Sequence, residues 1–190
     1  MRKLKILDKH NYERGLPRHV REAVRAVLLR DGKLLMVRSE RHGYYKFPGG
    51  GIEAGETHEE TLIRETKEET GARVIAGTMK ELGFVKELRR DLFCREIFEQ
   101  ISYYYYAAVD RQSDEPSLIG YEKEEGFVPA WVTPQEALTE NRRLYAEKRF
   151  RAEFLKRENY VLSLLVREEA SKNEQTEENG KIFLDRKCKE

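Results

Sequence analysis

The sequence predicts an α/β fold in which helices cover both faces of a mixed β-sheet. Segments rich in β-branched and apolar residues are interspersed with segments of helical periodicity, an order typical of this class. The 190 residues are 39% hydrophobic and 10% aromatic, which suffices for one sizeable core. We therefore expect a single domain over 1–169 and a polar, flexible tail over 170–190.

The strands are predicted from short β-branched or apolar runs. Residues 20–29 and 34–37 flank the turn dipeptide Asp31-Gly32, so they predict a hairpin. The charged residues 87–91 are expected to connect two later strands. These later strands, with one shorter strand after them, are predicted at 74–85, 96–109 and 130–132.

A helix is predicted to begin after Thr57 and to end at Gly71. The hydroxyl of Thr57 can accept a hydrogen bond from the first turn, and Glu60 stands three residues later, as a capping box requires. Glycine is the usual residue just past a helix C-terminus, because it adopts the left-handed conformation at little cost.

The C-terminal part of the chain predicts helices over about 134–169. Thr133, Pro134 and Glu136 supply a cap, a first helical residue and a capping-box partner. A long helical stretch is then expected at about 141–169, where apolar residues recur near helical spacing.

The first predicted helix contains an unusual group of carboxylates. Glu65, Glu68 and Glu69 are related by i, i+3 and i+4, so they lie within one arc of about 100° on its surface. Like charges at this spacing repel, and we expect a cation on that face. Carboxylates suit hard cations, so Mg²⁺ is expected, with Mn²⁺ as the alternative. An ordinary solvated helix face is the competing interpretation for an isolated glutamate cluster.

The wider pattern favours a functional site. Residues 50–72 follow the spacing G-x5-E-x7-R-E-x-x-E-E-x-G. This pattern resembles the box that defines the Nudix hydrolases, and 46–50 resemble the family's approach to it. The resemblance implies a Nudix-type α/β/α sandwich with a mixed sheet, whose core covers about 18–140 and is extended here by C-terminal helices. It also implies that Arg64 orients the helix carboxylates, with Glu65 and Glu68 central to catalysis, and that metal is held by Gly49, Glu56, Glu65, Glu68 and Glu69. Lys46, Gly50 and Gly51 are expected to contact the substrate.

Two positions depart from the family pattern. Thr66 stands where the box usually has an aliphatic residue, which weakens core packing without removing a ligand. Ala130 precedes Trp131 where some members carry a carboxylate that acts as general base. The base is therefore unassigned among Glu65 itself and three glutamates expected on a loop, Glu122, Glu124 and Glu125.

Composition narrows the classes of function. The net charge of +1 gives no overall attraction to nucleic acid or anionic membrane, and no segment approaches the roughly 20 apolar residues of a membrane span. With only Cys94 and Cys188, the chain has neither a disulfide framework nor a zinc motif, so we expect a reducing, cytoplasmic location. The resemblance implies a small nucleotide as the partner, and the C-terminal helix could serve a core or a homodimer.

The resemblance implies metal-dependent hydrolysis of a diphosphate bond in a nucleoside triphosphate, or in another nucleoside diphosphate linked to a group X, releasing a monophosphate. Proline and tyrosine are absent between Ala72 and Ser102, so the downstream markers of ADP-ribose and diadenosine polyphosphate hydrolases are missing. An ADP-ribose or nucleotide-sugar pyrophosphatase remains the alternative enzyme. A nucleotide-sensing domain without turnover is the alternative from another class.

Overall fold

The computed structural model describes residues 1–147 and 153–187, with only the helical backbone described for 173–187. The elements in chain order are β1 (Lys3–Asp8), β2 (Arg18–Val27), β3 (Leu29–Arg30), β4 (Lys33–Ser39), β5 (Tyr45–Lys46), α1 (His58–Thr70), β6 (Ala72–Val74), β7 (Lys80–Arg90), β8 (Ile97–Tyr106), β9 (Val109–Ser113), α2 (Gly120–Glu125), β10 (Phe127–Val132), α3 (Pro134–Glu147) and α4 (Leu155–Lys187).

The largest sheet has the strand order β1-β7-β8-β2 and is mixed. β1 pairs with β7 and β2 with β8 in parallel, whereas β7 and β8 run antiparallel. A second, antiparallel sheet has the order β10-β4-β3, with β5 also paired to β4. The antiparallel β3–β4 pair confirms the predicted hairpin, and β6 and β9 form a third, two-stranded sheet.

Helices pack on both faces of the central strands, because successive side chains of a strand point to opposite faces. Val24 and Ala26 of β2 join a buried cluster with Leu62 of α1. Val27 of the same strand joins another with Leu162 of α4, together with residues of α3. The α/β fold with a mixed sheet and C-terminal helices is thereby confirmed.

Several boundaries differ from the predicted ones. The predicted strand at 74–85 is divided between β6 and β7, and that at 96–109 between β8 and β9, because β6 pairs with β9 instead of continuing into the large sheet. The predicted connection at 87–91 is mostly strand, since β7 continues to Arg90 along β8. The predicted helix at 141–169 falls on two helices, α3 and α4, separated by 148–152, which lie outside the described residues, and by two turn residues.

The C-terminal part of the chain continues the last helix. Residues 170–187 of the predicted tail belong to α4, and 188–190 lie outside the described residues. The flexibility predicted for this tail stays a prediction, as do the domain limits. Among the described residues, no helix combines the length and the apolarity needed to cross a membrane.

Candidate metal and substrate site

The carboxylate-bearing helix α1 has both of its predicted ends. The Thr57 hydroxyl accepts a hydrogen bond from the Glu60 amide at 3.2 Å, and the Glu60 carboxylate accepts one from the Thr57 amide at 2.8 Å. Gly71 has φ +70°, and its amide donates to the Lys67 carbonyl at 2.8 Å. The capping box and the glycine stop are thus confirmed, and they position the helix carboxylates along the chain.

The turn at 49–51 lies along the edge strand β2. Ala26 and Val24 donate backbone hydrogen bonds to the carbonyls of Pro48 and Gly50, at 2.8 and 3.0 Å. Gly49 has φ +134°, and a Cβ there would overlap the Val24 carbonyl oxygen. A Cβ on Gly50 would overlap the carboxylate of Glu65. Glycine is therefore required at both positions, because the turn is packed between β2 and helix α1.

Arg64 collects most of the predicted carboxylates around one guanidinium group. Its Nε and Nη2 donate to the two oxygens of Glu56 at 2.6 and 2.8 Å, and its Nη1 donates to Glu65 at 2.8 Å and to Glu68 at 3.2 Å. Nη2 also donates to the Gly51 carbonyl at 3.2 Å. The hydrogen bonds from Arg64 lower the pKa of Glu56 to about 2. The guanidinium supplies the positive charge that the acidic face of the helix needs.

Glu65 lies in surroundings that disfavour its ionised form. Burial raises its pKa, and the neighbouring charge of Glu69 acts in the same direction, while the hydrogen bond from Arg64 opposes both. Additional positive charge at this point would stabilise the ionised carboxylate. Glu65 therefore has the character expected of a cation ligand.

Glu69 faces a different set of partners from the other glutamates. Its side chain is 1% exposed, and it forms an ion pair with Lys46 and accepts a hydrogen bond from the Gly49 amide at 2.9 Å. The Lys46 ammonium also lies 4.7 Å from the centre of the Phe127 ring. A predicted metal ligand and a predicted substrate contact are thus paired with each other, and the roles predicted for both stay predictions.

The residues present suit a hard divalent cation in their chemistry. The predicted donors are all oxygen atoms, four from carboxylates and one from the Gly49 carbonyl, and Gly50 leaves room for the Glu65 carboxylate against the turn. Within the described part of the chain, no three acidic, histidine or cysteine side chains converge closely enough to hold a metal. Arg64 occupies the space between Glu56, Glu65 and Glu68, so bound metal would compete with its hydrogen bonds.

The candidates for a general base are carried by helix α2 rather than by a loop. Glu122 accepts a hydrogen bond from the Ile119 amide at 3.0 Å, which caps this helix. Glu125 accepts hydrogen bonds from Ser39 at 2.9 Å and Tyr44 at 3.1 Å. Burial and the charge of Glu125 raise the pKa of Tyr44. These contacts give Glu122 and Glu125 a structural role. The general base is still unassigned among Glu65 and the three glutamates of α2, which include Glu124.

The sequence reasoning missed two arginines of β2. Arg25 is buried and donates a hydrogen bond to the Gly49 carbonyl, which is one of the predicted metal ligands. Arg21 donates to Gln100 of the neighbouring strand β8 at 2.9 Å. The sequence did contain a signal for these residues. Arg21 and Arg25 each stand two positions from Ala23, so they share one face of a strand whose other residues are mostly apolar.

Comparison with known proteins places these features in context. The family model described as the NUDIX domain matches residues 19–157. The putative 8-oxo-dGTP diphosphatase of Bacillus subtilis is 43% identical over 70 residues, which are 35% of this chain and 44% of that protein. The ADP-ribose pyrophosphatase of Methanocaldococcus jannaschii is 38% identical over 71 residues, 35% of this chain and 42% of that protein.

The curated matches cover less than half of those two proteins. A solved structure, a NUDIX hydrolase from Nitrosomonas europaea, aligns with a TM-score of 0.50 at 21% identity, covering 76% of this chain and 90% of that one. At this level of identity the likeness concerns the fold, and it confirms the α/β/α architecture expected from the sequence.

Proposed function

Because the chain belongs to the NUDIX domain family over residues 19–157, we propose that it is a divalent-metal-dependent pyrophosphohydrolase. The reaction is attack of water on the diphosphate bond of a nucleoside triphosphate, or of another nucleoside diphosphate linked to a group X. The P–O–P bond breaks, a nucleoside monophosphate is released, and water supplies the oxygen and the protons that the two products gain.

One observation supports this proposal above the others, namely the acidic face of α1 gathered around Arg64 beside the glycine turn. Glu56, Glu65 and Glu68 all accept hydrogen bonds from this one guanidinium. A magnesium ion, or manganese as the alternative, would be held by oxygens of Gly49, Glu56, Glu65, Glu68 and Glu69. When bound, the ion would neutralise the charge that develops on phosphate oxygens during hydrolysis.

The residues of the chain have distinct tasks in this proposal. Arg64 holds two carboxylates of α1, Glu65 and Glu68, next to Glu56 of the preceding loop through hydrogen bonds to all three. The ion pair between Lys46 and Glu69 holds the start of the glycine turn, since Glu69 also accepts from the Gly49 amide. Gly50 gives room to the Glu65 carboxylate, and Gly51 leaves the backbone of the turn open beside Arg21, where a phosphate oxygen could approach.

A nucleoside triphosphate is the leading substrate class, in keeping with the relative named as an 8-oxo-dGTP diphosphatase. An ADP-ribose or nucleotide-sugar pyrophosphatase is the second candidate, favoured by the relative named as an ADP-ribose pyrophosphatase. We further propose a cytoplasmic location, consistent with Cys94 being a free, exposed thiol. A small nucleotide is the proposed partner.

Release of phosphate and pyrophosphate should be measured with Mg²⁺ and with Mn²⁺ on a panel of substrates. The panel holds canonical and oxidised nucleoside triphosphates, ADP-ribose, nucleotide sugars and dinucleoside polyphosphates. Selective, metal-dependent turnover of one class supports the proposal and identifies the substrate. Nucleotide binding without turnover of any member would instead indicate the sensing domain.

Glu68→Gln is the sharpest variant for this test. The Glu68 side chain is 45% exposed and forms an ion pair with Arg64, so we expect the fold to persist while metal-dependent turnover falls by about 100-fold or more. Glu115→Gln provides a matched control, because Glu115 is an exposed glutamate between β9 and α2. Equal turnover in Glu68→Gln and the parent protein would show that the metal site is wrongly assigned.

A further inference from the structure

The glycine turn at 49–51 separates the acidic face of α1 from a basic site on β2. Gly50 lies against the carboxylate of Glu65, whereas a Cβ on the next residue, Gly51, would lie 3.3 Å from a terminal nitrogen of Arg21. Adjacent residues of an extended segment face opposite sides, which explains the separation. The turn is paired to β2 at the edge of the large sheet, so a ligand could cross it from one side to the other.

The basic site consists of Arg21 and Arg25. Both lie on one face of β2, two residues on either side of Ala23, and Ala23 is bridged to Gly51 across the strand pair. The Arg21 guanidinium lies beside Gly51, and that of Arg25 donates to the carbonyl of Gly49, a predicted metal ligand. Two guanidinium groups therefore lie along the same turn.

These two positive charges lack the carboxylate partners that a neighbouring arginine has. Arg157 is paired with Glu87 and Glu158. Among the residues described by the structure, neither Arg21 nor Arg25 has an acidic group within 4.0 Å, the distance of an ion pair. Each donates instead to a neutral oxygen, of Gln100 and of Gly49 respectively.

Arg25 provides the strongest indication of a missing anion. Arg25 is only 7% exposed, and its buried Nε atom has no hydrogen-bond partner in the part of the chain that the structure describes. A buried, incompletely bonded charge is costly unless a counter-charge reaches it. Partial desolvation and then the charges of Arg25 and Arg157 lower the pKa of Arg21, while the charges of Tyr121 and Glu65 raise it.

We propose that Arg21 and Arg25 bind a phosphate group of the substrate on the opposite side of the glycine turn from the α1 carboxylates. This inference rests on the proposed function and narrows its substrate class. A nucleoside triphosphate carries phosphate charge beyond the pair of phosphates joined by the cleaved bond. ADP-ribose and nucleotide sugars present neutral hydroxyls there instead. Two unpaired guanidiniums thus favour a triphosphate.

A purely structural role makes a different prediction. Arg21 could serve only to join β2 to β8 through Gln100, and its replacement would then lower thermal stability without changing the affinity for anions. Arg21 is exposed, so Arg21→Gln should leave the core intact. Arg21→Lys keeps the charge but loses the planar fork of donors, and it should retain part of the affinity.

The affinity for inorganic pyrophosphate should be measured by calorimetry on the full chain without metal. We expect Arg21→Gln to bind pyrophosphate about 10-fold or more weakly than the parent, Arg21→Lys to fall between them, and the exposed control Arg111→Gln to match the parent. Absence of binding by the parent, unchanged affinity in Arg21→Gln, or an equal loss in Arg111→Gln would each overturn the proposal.

Steady-state kinetics provide an independent arm of the test. With a triphosphate substrate, Arg21→Gln should raise KM by about the same factor with little change in kcat, and the KM for ADP-ribose should change less. An equal rise in KM for both substrates would overturn the assignment of the triphosphate. A parent that hydrolyses nothing, yet binds pyrophosphate through Arg21, would refute the proposed hydrolysis while supporting the anion site.

Discussion

The buried pair of Lys46 and Glu69 allows a quantitative prediction for Lys46→Met. The two side chains are 10% and 1% exposed, so removal of the ammonium leaves a carboxylate without its counter-charge in the protein interior. Breaking such a pair costs about 3–5 kcal/mol. The Gly49 amide still donates to Glu69, and methionine keeps the apolar stem against Phe127, so we expect the lower end, about 3 kcal/mol.

Urea denaturation followed by circular dichroism and by the fluorescence of the single tryptophan, Trp131, measures this free energy of unfolding. Adding Glu69→Gln to Lys46→Met should recover much of the loss, because the double variant buries no charge at this point. If Lys46→Met lowers the free energy of unfolding by less than about 1 kcal/mol, which is the contribution of an exposed ion pair, the pair is not shielded from solvent and the reasoning is refuted.

Two further predictions concern the support of helix α1 and the pH dependence of stability. Thr57→Ala removes the hydroxyl of the capping box and should lower the free energy of unfolding by about 1 kcal/mol in the same urea experiment. An unchanged free energy of unfolding would indicate that water caps the helix equally well. The hydrogen bond from Arg73 lowers the pKa of Asp114 below its ordinary value of 3.8. The resulting stability is present above that value and is lost as pH falls through the lowered pKa, so the melting temperatures of the parent and Asp114→Asn should converge as pH falls below the ordinary value. A difference that widens on acidification would contradict the assignment.

Local signals predicted the ends of helices and the hairpin correctly. The capping boxes at Thr57 and Thr133 and the stop at Gly71 involve residues within four positions of one another, so the interactions can be read directly from the chain. Strand limits depended on partners distant in sequence. β7 continues through charged residues because β8 lies beside it, where Lys86 forms an ion pair with Glu99.

Local spacing is enough to place the motif on one helix, with Glu65 and Glu68 near Arg64, because helical geometry alone brings such neighbours together. The partners of Lys46 and Arg25 depend instead on tertiary contacts. Lys46 reaches Glu69 across 23 positions of the chain, and Arg25 reaches the Gly49 carbonyl across 24. Both contacts exist because the glycine turn is paired to β2 and packed against α1, an arrangement set by long-range packing that no local spacing encodes.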